Sequence, residues 1–225
     1  MPNIVSLVSE SGSDKSFASI SQQLSLRSYH ATQVVKRCLS KTGDALFNIA
    51  VSLRAIADPV LVDELSKLIT SEFVKIKKDL ERSKERTRHV LKESGVTDLV
   101  EYSNVTTYEI QVNSPQMIML LRLLESLDEL YNLNDTLWMN GLCDDQDKSR
   151  MAYDWQRRFT KMCNRIIEMH KRARAAMRAA KEKEEKAAAD SSQKPKPVPK
   201  DALPEEASNE LIDEIDESFP EASNG

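Results

Sequence analysis

Residues 115–139 (PQMIMLLRLLESLDELYNLNDTLWM) are apolar on two sides of a helix at once. Met117, Leu120, Leu121, Leu124, Leu127, Tyr131 and Trp138 form one side, and Leu123, Leu130, Leu133 and Leu137 another. A helix with two apolar faces must be covered on both, by other helices of its own chain or by a partner chain. Ser114-Pro115 supplies an N-cap and a first-turn proline to start it, and Asn140-Gly141 ends it. The rest of the fold has to be arranged around this helix. Only five of the 225 residues are Gly. That leaves few tight turns and no Gly-rich phosphate loop, which favours helices over a β-barrel or an α/β enzyme. The predicted class is mainly α, with one or two short strands.

Two segments alternate with period two. In 20–28, Ile20, Gln22, Leu24 and Leu26 point one way and Gln23, Ser25 and Arg27 the other. In 105–113, Tyr108, Ile110 and Val112 oppose Thr107, Glu109 and Gln111. Both read as half-buried strands. From Tyr29 the period becomes helical, with Ala31, Val34, Val35 and Cys38 on one face and Gln33, Lys36, Arg37 and Lys41 on the other. Thr42-Gly43-Asp44 reads as a break, Gly43 ending one helix and Asp44 capping the next. That second helix carries Leu46, Ile49, Ala50, Leu53 and Ala57 and runs to about 58, where Pro59 stops it.

A long helix over 60–94 has the seam Val62, Leu65, Ile69, Phe73, Ile76 and Leu80. Ser83 and Thr87 continue that seam, so its far end is predicted to be exposed, and Gly95 closes it. The last helix, 148–186, has Trp155, Phe159, Met162, Ile166, Met169, Ala173, Met177 and Ala180 on its seam and an Ala-rich end directed into solvent. Three regions follow. Residues 1–19 are a Ser-rich disordered segment, and 20–189 form the helical body. Residues 190–225 are a Pro/Lys linker (KPKPVPK) and an acidic disordered tail.

The formal net charge of −4 hides a strong asymmetry. Residues 190–225 hold three Lys against ten acids, whereas 148–178 hold ten Lys/Arg against Asp154 and Glu168. A basic helix and an acidic tail share one chain. Cys38, Cys143 and Cys163 lack metal-ligand spacing and read as reduced thiols. The N-terminal residues lack a basic n-region and their apolar run over 4–8 is short. No apolar stretch approaches the roughly 20 residues a membrane helix needs. The expectation is a cytoplasmic chain with no membrane contact.

Enzyme chemistry finds no support. The phosphate-loop, dinucleotide-loop, HExxH and GxSxG patterns are absent. His30, His89 and His170 are far apart, and none has a second ligand one turn away. Asp144, Asp145 and Asp147 read as a solvated turn capping the basic helix. The reading is no enzyme, no metal and no cofactor.

The order strand, helix, turn, helix over 20–58 is that of a ribbon-helix-helix module. There, two chains each give one strand to a ribbon that enters the major groove of double-stranded DNA. Gln23, Ser25 and Arg27 would face the bases, since Arg suits guanine, Gln suits adenine and Ser either. Lys36, Arg37 and Lys41 would reach the backbone, and free amides near Thr42 would bind a phosphate. The alternative is that 20–28 is an edge strand of the core with a polar outer face. Residues 105–113 are a rival ribbon, ranked lower because Glu109 repels phosphates, or a pairing partner of the first strand. On the basic helix, Arg157, Arg158, Lys161 and Arg165 are either a solvated face or further phosphate contacts. The tail, with Leu203, Leu211, Ile212, Ile215 and Phe219 among its acids, is either solubilising or a segment that binds a partner such as transcription machinery.

The stretch LSLRSYHATQVVKR (24–37) resembles the Leu-x-Leu-x-(Thr/Ser)…Ala-x-x-(Val/Leu) opening of the AcaB-like regulators of conjugative plasmids and integrating conjugative elements. Residues 108–142 are similar to that family's strand, Asn-x-Pro-type helix start and Leu-x-x-x-Asp-Glu-Leu core, and the likeness spans about 20–178. The resemblance implies a homodimeric, nucleoid-associated bacterial activator of transfer genes with ribbon-helix-helix topology. The alternative class is a helical scaffold of a conjugative element that makes no DNA contact.

Overall fold

The computed structural model describes residues 3–7, 18–54 and 59–191. Their order is β1 (Asn3–Leu7), β2 (Ile20–Leu26), α1 (Tyr29–Phe47), a π-helical segment (Asn48–Leu53), α2 (Pro59–Glu93), β3 (Thr106–Val112), α3 (Pro115–Met139) and α4 (Asp145–Ser191). The protein is mainly α. Helix α3 packs against α1, α2 and α4 and under β2 and β3, as its two apolar faces require. One cluster of buried side chains runs from Leu24 to Ala173 through these elements.

The sheet has the order β1-β3-β2. Strand β2 runs antiparallel to β3, with Leu24 opposite Tyr108 and Gln23 opposite Glu109. The alternation predicted for both strands holds: Leu24, Leu26, Tyr108, Ile110 and Val112 are buried, and Gln23, Ser25, Glu109 and Gln111 are exposed. The two segments pair with each other, which was one of the alternatives open from their pattern. Strand β1 is a correction to the disordered reading of 1–19, for Asn3–Leu7 pairs parallel with β3. Ile4 and Val5 favour a strand, a signal masked by the surrounding Ser residues; residues 8–17 lie outside those described.

The helix break at Gly43 does not occur. Helix α1 runs through it, so Thr42 to Asp44 offer no helix N-terminus. The reason is tertiary: a Cβ at Gly43 would stand 3.2 Å from Met117 Cε. Glycine is there for close approach of α1 to α3, not for a turn. The chain then widens into the π-helical segment, and Pro59 opens α2 instead of ending the helix before it. The helix-turn-helix half of the module predicted over 20–58 is therefore absent from 29–53; residues 55–58 lie outside those described.

The other boundaries follow local chemistry. Ser114 caps α3 through its hydroxyl, which accepts from Met117 N at 3.3 Å. Asp144 starts α4, its carboxylate accepting from Asp147 N at 2.6 Å. Helices α2 and α3 end on Gly95 (φ 73°) and Gly141 (φ 69°). The bonds Val96 N to Leu91 O and Leu142 N to Leu137 O, both 2.9 Å, close the two turns. Nothing lies within 4 Å of a Cβ built on Gly95, so the cost of a side chain there is conformational. Gly95→Ala is expected to lower the unfolding free energy by about 1–2 kcal/mol in urea titration. An unchanged midpoint and slope would contradict this.

The far end of α2 is not exposed along its seam. Lys84 and Thr87 are buried beside Leu80 and Leu91. The Lys84 stem covers core while its ammonium meets Glu81 at 2.8 Å and Glu129 at 3.0 Å. The linker at 194–200 and the acidic tail lie outside the described residues.

Candidate nucleic-acid interface

Among the described residues, strand β2 is an edge strand, paired with β3 on one side. Its outer face is polar: Ser21, Gln23 and Ser25 are exposed. Ser25 Oγ lies 3.1 Å from Thr107 Oγ1, and Ser21 donates to Glu109 at 3.2 Å. Because β2 and β3 form one surface, Glu109 sits opposite Gln23. The two candidate ribbons are thus adjacent strands of one face rather than rivals.

Arg27 follows β2 and is not a free base reader. Its Nε lies 3.5 Å from Asp128 Oδ2, with its side chain 52% exposed and that of Asp128 only 3%. Asp128 gathers the whole β2–α1 junction. It accepts from Arg27 N at 3.2 Å, Ser28 N at 2.8 Å and Ser28 Oγ at 2.7 Å. Ser28 Oγ in turn caps α1 by accepting from Ala31 N. A buried carboxylate 101 positions from Arg27 is what holds this turn.

Lys36, Arg37 and Lys41 are exposed on α1, as predicted. Thr42 is not a phosphate contact: it is wholly buried under α4. On α4, Arg157 and Lys161 join Arg37 of α1 along a groove of about 440 Å³ between the two helices. Arg158 lies outside the groove, over the Trp155 ring at 5.4 Å. Arg165 lines the groove but meets Glu72 of α2 at 3.1 Å, both side chains at most 20% exposed. That corrects its reading as an open phosphate contact; it ties α4 to α2. Among the described residues that line the groove, Glu168 is the one carboxylate, and Lys171 pairs with it at 2.6 Å. The groove is therefore strongly positive.

Two aromatic residues at this surface have no part in the sequence-based expectations. Tyr153, 63% exposed, lines the same groove. Its spacing of four from Arg157 and eight from Lys161 was the available signal. Tyr29 is 71% exposed beside His30 and Lys36 in a second recess of about 500 Å³. Burial, and to a lesser extent Lys148, hold the His30 imidazole below its usual pKa against the pull of Asp135. Among the described residues, no three His, Cys, Asp or Glu gather as a metal site. No described helix is long and apolar enough to cross a membrane.

No protein-family model matches the chain, and no curated protein matches it in sequence. A solved structure does: the crystal structure of selenomethionine-containing AcaB from uropathogenic E. coli, at 26% identity and a TM-score of 0.72. The match covers 89% of this chain and 100% of that one, so the chain has an AcaB-like fold.

Proposed function

We propose that this protein is a DNA-binding transcription regulator that works as a homodimer and activates transfer genes of a conjugative element. The observation that carries the reading is the convergence of Arg37, Arg157 and Lys161 from two helices in one groove with Tyr153 beside them. A groove of this charge suits a phosphate backbone. The AcaB-like fold supports the same reading, through the regulatory role that the family resemblance implies.

In this reading two copies pair along the free edges of β2, giving a ribbon whose outer face carries Gln23 and Ser25. Gln23 has the donor and acceptor to read adenine, and Glu109 beside it can accept from the cytosine amine. Arg37, Arg157 and Lys161 hold the backbone, and Lys36 and Lys41 widen the positive surface. The acidic tail is a contact for transcription machinery.

One observation favours a helical scaffold instead. Val90, Leu99, Trp138, Met139 and Leu142 are exposed around the ends of α2 and α3, where a small second apolar cluster lies. Such a patch suits a protein partner.

Selection of bound duplexes from a random pool separates the two. The wild type should enrich one motif with two-fold symmetry. Gln23→Ala with Ser25→Ala should bind with similar non-specific affinity and lose base preference at the matching positions, each worth about 1–3 kcal/mol of discrimination. An identical motif from both proteins would remove the β2 ribbon, and no enrichment by the wild type would favour the scaffold.

A further inference from the structure

The groove between α1 and α4 holds charge that the described residues do not balance. Arg37, Arg157 and Lys161 line it, and among the described residues none of the three forms an ion pair. Lys36 and Lys41, exposed on α1, are likewise without one. The lack is local. On α4 itself Arg150 meets Asp147 at 2.5 Å, Arg165 meets Glu72 at 3.1 Å and Lys171 meets Glu168 at 2.6 Å. Tyr153, 63% exposed, gives the same groove an aromatic wall.

The chain carries the missing charge further along. Residues 201–221 hold nine Asp/Glu and no Lys or Arg. Leu211, Ile212, Ile215 and Phe219 stand among them at spacings of three and four. Apolar side chains at that spacing, with acids between, suit a groove walled by an aromatic ring and lined by cations. The reach is sufficient. Helix α4 ends at Ser191, thirty positions past Lys161, which is about 45 Å of helix. Glu210 lies nineteen positions beyond Ser191, and that length of chain spans up to about 60 Å. The acids from Glu210 onward therefore reach back to Lys161 and Arg157 of their own chain. Tethering raises their local concentration, so each exposed ion pair need contribute little for the segment to sit there.

We propose that the acidic stretch 201–221 seats in the groove of its own chain and competes there with DNA. Carboxylates and phosphates want the same three cations, so only one of the two occupies the groove at a time. Binding DNA releases the stretch and makes it available to a protein partner. The competition rests on the DNA reading of the groove; the seating does not.

The test of the seating, on the full chain, is zero-length carbodiimide cross-linking, which joins a lysine amine to a carboxylate in contact with it. Peptide-mapping mass spectrometry of a mixture of isotope-labelled and unlabelled chains separates links within a chain from links between chains. The expected result is links within one chain from Lys161 to acids of 201–221, well above those from the exposed Lys77 and Lys92 of α2. Arg37→Ala with Arg157→Ala keeps Lys161 and the acids, yet should cut these links at least threefold. Links spread evenly over Lys161, Lys77 and Lys92, links only between chains, or links unchanged in the double variant would each overturn the proposal. For the competition, replacing the acids of 205–217 by their amides should tighten DNA binding about tenfold at low salt. Equal affinity of the two proteins would overturn it. Failure of both to bind DNA would instead sink the DNA reading, and the cross-links alone would decide the seat of the acidic stretch.

Discussion

Asp128→Ala is expected to lower the unfolding free energy by about 3 kcal/mol, measured by urea titration. The carboxylate is buried and accepts from two backbone amides and one hydroxyl at the β2–α1 junction. Truncation orphans Arg27 N–H and Ser28 N–H, each worth about 1–3 kcal/mol when left unpaired away from water. The Arg27 guanidinium adds little, because it is half exposed and screened. Asp128→Asn keeps one acceptor oxygen and should cost less than the alanine variant. The effect would also reach function, since this junction sets the angle between strand β2 and helix α1. A loss under about 1 kcal/mol for the alanine variant would mean that water replaces the carboxylate and that the junction does not depend on it.

Replacing Arg37, Arg157 and Lys161 together by Ala is expected to flatten the salt dependence of DNA binding. Each phosphate left without its cation takes about 0.9 off the slope of log affinity against log salt, hence about 2.7 per protomer. Between roughly 50 and 200 mM salt the wild type should then lose about 40-fold more affinity than the variant for each protomer engaged. All three side chains line an open groove, so the fold should be unaffected. An unchanged slope would place the phosphate contacts elsewhere, with Lys36 and Lys41 of α1 the next to replace.

What the sequence could disclose was whatever is governed by near neighbours. The Ser114-Pro115 start of α3, the Asp144 cap of α4 and the Gly95 and Gly141 turns follow from side chains a few residues from the backbone groups they satisfy. The two faces of α3 followed from periodicity. What it concealed depends on partners far along the chain. Gly43 resembled a turn because its reason, Met117, lies 74 positions away. Arg165 resembled a solvated cation because Glu72 comes from another helix. Arg27 alternates with Gln23 and Ser25, yet its guanidinium lies against Asp128 of another element. Thr42 resembled a helix start and is instead packed under α4. The groove was half legible: each cation was visible on its own helix, but only the packing of α1 on α4 brings Arg37 to Arg157 and Lys161.

The most direct measurement is fluorescence anisotropy of the full chain with duplex fragments of the DNA around its own coding region at two salt concentrations. A site-specific DNA-binding regulator should bind a few fragments tightly and weaken steeply as salt rises. Failure to bind any fragment at low salt would contradict DNA binding and turn attention to the apolar patch at Trp138, Met139 and Leu142 as a surface for a protein partner.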